Sequence, residues 1–337
     1  MNMANILITK ETRAGESRVA LIPADVKKLA NKGYKIYIEQ NAGTAAGYPD
    51  QEYENAGAEI RYINQYSVEN FKKLFANINI IVRVKRPDTQ REKLENQALS
   101  QGMIMIGALD PLEKHSSHIN EYHQAGIHAY SIDQMQLAHD DPMNILASMS
   151  KIAGRLALLD ALDKFHSTIK KVVIIGFGIV GYSAFMEARS KNLPTTVIIN
   201  NSNQANEITQ HGGNILLLDT NADLQQQQTV IKQALSDADI VITSARRANQ
   251  PAPLLIPRDT LLHMHKGSVV VDMALSEGGN VEGSEHDATR ILGNEITVTN
   301  TSGYPKAVPH EASQLWSTAS RLFILSLAEN KNVLRSC

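Results

Sequence analysis

The feature that most constrains this chain is a continuous apolar run, Val172-Val173-Ile174-Ile175, followed at once by Gly176-Phe177-Gly178-Ile179-Val180-Gly181. A run with no polar alternation has no solvent face, so it reads as a strand covered on both sides of a parallel sheet. The spacing G-x-G-x-x-G alone says little. Directly after a buried strand, and at the opening of a helix-compatible stretch over residues 182–191, it acquires a mechanism. Gly176 permits a tight turn, Gly178 lets the backbone approach a pyrophosphate, and Gly181 lets helix and strand pack closely. The start of the helix offers unpaired N–H groups and a positive dipole end to phosphates. The plain alternative is a glycine-rich turn without a ligand; the complete strand–loop–helix–strand context favours the dinucleotide reading.

Further apolar runs at 196–199, 214–218, 239–243 and 268–272 are separated, for the earlier ones, by polar stretches of helix length. Such alternation predicts a doubly wound α/β domain. The first 130 residues show a second alternation, with strands expected at 5–9, 35–39, 78–84, 103–106 and 128–131. A helix is expected at 23–32, with Pro23 at its start and Gly33 at its end. Residues 144–165 have helical spacing and suit a long connector. A last apolar-periodic helix at 311–328 follows the second set of strands and can return to the first domain. The fold class is therefore α/β, with two Rossmann-like doubly wound domains. The dinucleotide domain with its connecting helix (146–304) is inserted into a discontinuous first domain (1–145 and 305–337).

A net charge of −2 over 337 residues leaves no basic excess to displace counterions from nucleic acid or an acidic membrane. No apolar run reaches the roughly 18–20 residues of a spanning helix. The opening residues lack the apolar core of a signal peptide. The single cysteine, Cys337, permits no intrachain disulfide, and a cytoplasmic protein is the simplest expectation. His115, His118, His123 and His128 cluster, as do His263 and His265, but no cysteine or carboxylate set accompanies them, so no metal site is expected. There is no G-x-S-x-G elbow and no P-loop.

The end of the second strand of the dinucleotide domain bears on cofactor choice. An NAD site places Asp or Glu about 20 residues beyond the glycine turn, on the ribose 2′-hydroxyl. Here Asn200-Asn201-Ser202 stands in that place. Neutral amides do not repel a 2′-phosphate, so NADP is admitted beside NAD. Arg246 and Arg247, after the fourth strand, either clamp such a phosphate or lie on the surface. Ser244 and Ala245 at that strand's end join the expected cofactor set with Asn200 and Asn201. Asp272 ends the fifth strand, where it either caps the next turn or faces the cofactor.

Several stretches in order resemble the alanine dehydrogenase/pyridine nucleotide transhydrogenase family. They are ETRAGESRVALIP (11–23), AGAEI (56–60), VKRP (84–87), MSKIAGRLA (149–157), the GFGIVG turn, PAPLLI (251–256) and KGSVVVDMALSEGGN (266–280). The resemblance covers nearly the whole chain. It implies a substrate domain interrupted by a dinucleotide domain, NAD ahead of NADP as cofactor, hydride transfer involving a small amino or 2-oxo acid, and a homo-oligomer. It assigns Arg18 and Lys85 to holding the oxo acid, since a carboxylate taken from water needs a cationic partner. Taken singly, the plain readings are a surface salt bridge of Arg18 with Glu16 or Glu11, and a solvated strand end for Lys85.

Two positions depart from the alanine dehydrogenase pattern. Asp110 stands where that pattern has a catalytic histidine, and Ser276 where it has an aspartate beside the cofactor. Proton transfer then falls to Asp110 with a raised pKa, to Lys85 with a lowered one, or to His115. Glu277-Gly278-Gly279-Asn280 and the run from Glu311 to Trp316 resemble instead the NAD(H)-binding alpha subunit of proton-translocating transhydrogenases. Residues 136–144 hold no Arg, have no Gln at the place where that subunit carries one, and have Asn144 for its Asp. On that second reading the chain is a soluble subunit with membrane and NADP-binding partners. A third reading is a catalytically silent nucleotide sensor.

Overall fold

The computed structural model describes residues 4–109, 118–247 and 250–329. The chain divides into two compact units, one formed by Met1–Ser148 with Lys306–Cys337 and the other by Met149–Pro305.

In the first unit the strands are β1 (Asn5–Ile8), β2 (Lys35–Glu39), β3 (Ala58–Arg61), β4 (Ile80–Lys85), β5 (Ile104–Ala108) and β6 (His128–Ser131). They form a parallel sheet in the order β3-β2-β1-β4-β5-β6. The helices are α1 (Pro23–Asn31), α2 (Asp50–Asn55), α3 (Val68–Leu74), α4 (Thr89–Asn96) and α5 (His118–Gln124). The chain order reverses between β1 and β4, and the crevice beyond the carboxyl ends of those two strands is where open α/β sheets bind ligands.

The helix α6 (Ile145–Lys164) leads into the second unit. That unit contains β7 (Val172–Ile175), α7 (Ile179–Ser190), β8 (Thr195–Ile199), α8 (Ala205–Gln210), β9 (Asn214–Leu217), α9 (Leu224–Leu235), β10 (Ile240–Thr243), α10 (Arg258–His263) and β11 (Val269–Asp272). A hairpin of β12 (Ala288–Leu292) and β13 (Ile296–Asn300) completes it, and α11 (Pro309–Glu329) belongs to the first unit. The sheet order is β12-β13-β11-β10-β7-β8-β9, parallel except for the hairpin. Its switch point lies between β7 and β10. The β7 run shows why an apolar strand needs no alternation. Val172 and Ile174 enter one core cluster and Val173 and Ile175 the other, all at most 1% exposed. Burying each such side chain contributes roughly 2 kcal/mol.

The two Rossmann-like sheets expected from the sequence are present, with shifts at element ends. The first sheet's strands expected at 78–84 and 103–106 run Ile80–Lys85 and Ile104–Ala108. The helix expected from residue 182 begins at Ile179, because Gly178 caps it and the last glycine already lies in its first turn. The strand β3 and the hairpin went unnamed in the sequence reading. Most of β12 is solvent-exposed, so it carries no apolar run. Its signal is the turn Gly293-Asn294-Glu295, where Gly293 and Glu295 take positive φ.

Within the first unit, α11 packs by small residues. Ser313, Ser317 and Ser320 are fully buried on the same face as Trp316 and Phe323. Val19 N–H donates to Ser313 Oγ (3.0 Å) and Ile22 N–H to Ser317 Oγ (3.0 Å). Ser317 Oγ in turn donates to Asp25 Oδ2 (2.7 Å), and Arg321 Nε donates to Asp25 Oδ1 (2.8 Å). The segment after β1 is thereby held, and it carries Arg18.

Among the described residues no helix is long and apolar enough to cross a membrane. Nor does any group of three or more His, Cys, Asp or Glu among them form a metal-binding cluster.

Candidate functional site

In the second unit the β7–α7 turn is built by steric necessity. Gly176 has φ +93°, and a Cβ there would sit 3.1 Å from the Ala245 backbone. A Cβ on Gly181 would lie 2.0 Å from the Gly176 carbonyl oxygen. Gly154 of α6 serves the same close packing, since its Cβ would meet the Val180 carbonyl oxygen at 2.1 Å. Gly178 differs: φ is −76° and a Cβ would meet nothing within 4 Å. Its glycine is thus required by nothing in the protein itself, and the open space lies at the start of α7, where unpaired N–H groups gather.

Around this turn lies a cavity of about 480 Å³ lined by Gly176, Gly178, Asn200, Asn201, Ser244 and Ala245, with Arg246 and Arg247. The Ser244 hydroxyl is buried and has no hydrogen-bond partner among the described residues, the kind of orphaned group a ligand satisfies. An extended ligand bearing phosphates and a ribose therefore fits the open turn, the helix start and the unpaired hydroxyl. Phe177, Gln204, Leu218 and Gln227 also line the cavity, and nothing in the sequence alone gives them a cofactor role. Gln204 sits a few residues beyond β8, and its amide nitrogen donates to the Phe177 carbonyl (3.0 Å), tying the second loop to the glycine turn.

Ile179, Val180 and Gly181 form the first turn of α7 and are not among the lining residues. Asp272 is fully buried and also does not line the cavity. Its Oδ1 accepts from Ala274 N–H (3.0 Å), and its Oδ2 accepts from Asn280 N–H (3.0 Å) and Val281 N–H (3.2 Å). Burial pushes this carboxyl up, against the pull of those hydrogen bonds. Asn280 continues the chain of contacts. Its amide donates to the Ala245 and Pro253 carbonyls (3.0 and 2.8 Å) and accepts from Ala245 N–H (3.0 Å). Asp272 thus caps the following turn, and through Asn280 it shapes the cavity wall. Ser276 is exposed, in a short 3₁₀ turn outside the lining.

In the first unit, Arg18 and Lys85 lie after β1 and at the end of β4, the two strands of the switch point. Arg18 is 5% exposed, so its ion pair is not a surface one. Its Nε and Nη2 both donate to Glu16 (2.6 and 2.5 Å), and its guanidinium stands 5.5 Å from the Trp316 ring centroid. Burial works to raise the Glu16 carboxyl, but the Arg18 hydrogen bonds and charge outweigh it and hold that carboxyl below its ordinary range. The half-buried Lys85 sits where the β4–β5 register shifts. The backbone there is held by Glu11, which the sequence offers only as a salt-bridge partner for Arg18. Glu11 accepts Val84 N–H on Oε1 (2.7 Å) and Lys85 N–H on Oε2 (3.1 Å). Asp110 and His115 lie outside the described residues.

Burial pushes the Glu11 carboxyl up to about 7, against those two backbone hydrogen bonds. The unfolded chain ionises this group near 4.5 while the folded chain still holds the proton, so the folded state binds more protons between about pH 4.5 and 7. Its contribution to stability is therefore full below pH 4.5 and is lost as the pH rises through 7. Chemical unfolding midpoints across this range should show a loss of roughly 3 kcal/mol attributable to this group. The Glu11→Gln chain should lack that slope; an unchanged slope would contradict the assignment.

Comparison with known proteins adds the following. Residues 7–153 match the family model described as alanine dehydrogenase/PNT, N-terminal domain, and residues 163–336 match its C-terminal counterpart. The NAD(P) transhydrogenase subunit alpha of Cereibacter sphaeroides is 26% identical across 96% of this chain, which spans 65% of that protein's length. An alanine dehydrogenase of Halomonas elongata is 26% identical, over 96% of this chain and 87% of that protein. The crystal structure of a transhydrogenase from Sinorhizobium meliloti superposes with a TM-score of 0.83 at 26% identity, covering 96% of this chain and 94% of that one.

Proposed function

Because the chain belongs to the alanine dehydrogenase/pyridine nucleotide transhydrogenase family, we propose that it is an NAD(P)-dependent oxidoreductase acting on a small amino or 2-oxo acid. The observation that carries this reading is the glycine turn at the β7/β10 switch point, with open space at Gly178 and the unpaired Ser244 hydroxyl. A bound nicotinamide dinucleotide supplies the hydride donor or acceptor. Gly176, Gly178 and the start of α7 hold its phosphates, and Ser244, Asn200 and Asn201 meet the rest of it. Arg18, oriented by Glu16, and Lys85, oriented through its backbone by Glu11, hold the carboxylate and carbonyl of the acid. Both cations are needed because a carboxylate leaving water must find charge-assisted donors. The single proton that accompanies reduction of a carbonyl or imine is assigned to one of two groups, Lys85 Nζ or the Asp110 carboxyl. A cytoplasmic homo-oligomer is part of the same proposal.

The second reading, an alpha subunit that works docked to other transhydrogenase subunits, is favoured by the Glu277–Asn280 segment. Asn280 there is fully buried and braces the cavity wall. On this reading the chain would act with membrane and NADP-binding partners. Steady-state oxidation of reduced dinucleotide by purified protein, across a panel of 2-oxo acids with and without ammonia or amino acids, separates the two. Turnover with one acid class supports the dehydrogenase. Tight dinucleotide binding with no turnover on any acid would sink it and leave the subunit or sensor readings.

A further inference from the structure

The cavity of the second unit has an uneven charge. Asn200, Asn201, Gln204, Thr220 and Gln227 line it as neutral polar groups; among the described residues, Arg246 and Arg247 are its only charged lining residues, and no carboxylate lines it. Holding an adenosine ribose diol calls for a carboxylate at the end of the second strand. Here that place is taken by amides, one of them already engaged, since Asn201 Oδ1 accepts from Asn203 N–H (3.1 Å). We propose that this cavity selects a dinucleotide carrying a 2′-phosphate, NADP(H) over NAD(H), with Arg246 and Arg247 setting the choice. The inference rests on the dinucleotide reading above and adds which dinucleotide is taken.

Both arginines follow β10, across the switch point from β8, so the loops of two strands supply the wall. Arg246 Nη1 pairs with Glu277 Oε1 at 2.8 Å, with both side chains more than a third exposed. Such an exposed pair is weak, because water screens it and two mobile side chains must be held in place. A phosphate dianion offers the guanidinium two parallel charge-assisted bonds, which are stronger, so Arg246 exchanges its partner when the phosphate arrives. Arg247 is exposed, and its backbone bridges to Gln250. A carboxylate at Asn200 would reverse the balance by repelling the phosphate and accepting from the diol.

The test is calorimetric binding of NADPH and NADH to the purified full chain, with 2′,5′-ADP and 5′-ADP as fragments that isolate the 2′-phosphate. NADPH should bind about tenfold or more tightly than NADH, and 2′,5′-ADP should exceed 5′-ADP by a similar factor. Changing Arg246→Ala and Arg247→Ala together should remove that advantage while 5′-ADP affinity stays within about threefold and the melting temperature is unchanged, as suits exposed side chains. Asn200→Asp should shift the preference toward NADH. If NADH binds as tightly as NADPH or more so, or if the arginine changes leave the 2′-phosphate advantage intact, the inference is overturned while the dinucleotide reading stands. If neither dinucleotide binds, that reading fails and takes the inference with it.

Discussion

Gly181→Ala is expected to lower dinucleotide affinity by about a hundredfold or more, close to 3 kcal/mol, and to destabilise the second unit by a similar amount. The added methyl would lie 2.0 Å from the Gly176 carbonyl oxygen and 3.1 Å from Ser244 Oγ. The first of these is backbone, in a turn whose own glycine has φ +93°, so neither side can yield without moving the loop. The start of α7 must then tilt away from β7, and the N–H groups that face the cavity move with it. Gly178→Ala is the discriminating control. Its methyl enters open space at an ordinary φ of −76°, so the fold should melt at the same temperature. Affinity alone should fall, because the space it fills is the space the phosphates need. Thermal unfolding and calorimetry on both variants check this. Equal losses of stability would contradict the distinction, and a Gly178→Ala chain that binds normally would move the phosphates elsewhere.

Arg91→Met is expected to cost about 3–5 kcal/mol of stability, as removal of one partner from a buried ion network does. Arg91 is fully buried. Its Nη1 and Nη2 donate to the two oxygens of Glu39 (3.0 and 2.7 Å), and its Nε donates to Glu95 Oε1 (2.5 Å). Glu95 also accepts from Arg83 Nη2 (2.8 Å), so β2, α4 and β4 are tied through one chain of charges. Methionine keeps the bulk and leaves Glu39 without its fork. Burial works to raise the Glu95 carboxyl, but Arg83 and Arg91 outweigh it and hold it below its ordinary range. That contribution is present above the unfolded value of about 4.5 and disappears as the pH falls through the lower folded value. The penalty of Arg91→Met should therefore shrink in acid. A Glu39→Gln change added to it should recover part of the loss, because the uncompensated charge is then gone. Chemical denaturation of the wild type and the two variants at two pH values measures both effects. A loss under about 1 kcal/mol would place the network among ion pairs of no consequence.

Strands covered on both faces can be read from the chain alone because burial leaves them continuous apolar runs, as in β7 and in β10 and β11 up to their last residues. The edge hairpin cannot be read that way, since β12 shows most of its residues to water. At the site, the glycine turn is legible because Gly176 and Gly181 answer local backbone demands and Gly178 completes their spacing. Glu11 is legible only as a partner for Arg18, because its actual contact is with the β4 backbone, more than seventy residues away in sequence. A carboxylate that accepts two backbone N–H groups leaves no pattern in spacing. The ion pair read for Arg18 is present, but burial beside Trp316 changes its meaning from a surface contact to a fixed cation. Asp272 shows the reverse case. A strand-end aspartate could face a ligand or cap a turn, and only the positions of Ala274, Asn280 and Val281 show where its oxygens point.

The most direct measurement is calorimetric titration of 2-oxo acids into the chain with and without saturating reduced dinucleotide, in wild type and in Lys85→Ala. Hydride transfer to such an acid calls for an acid that binds only when the dinucleotide is present, and for that binding to disappear in Lys85→Ala while dinucleotide affinity is kept. A chain that binds dinucleotide yet takes up no oxo acid, or takes it up equally well without Lys85, would contradict the proposed enzyme.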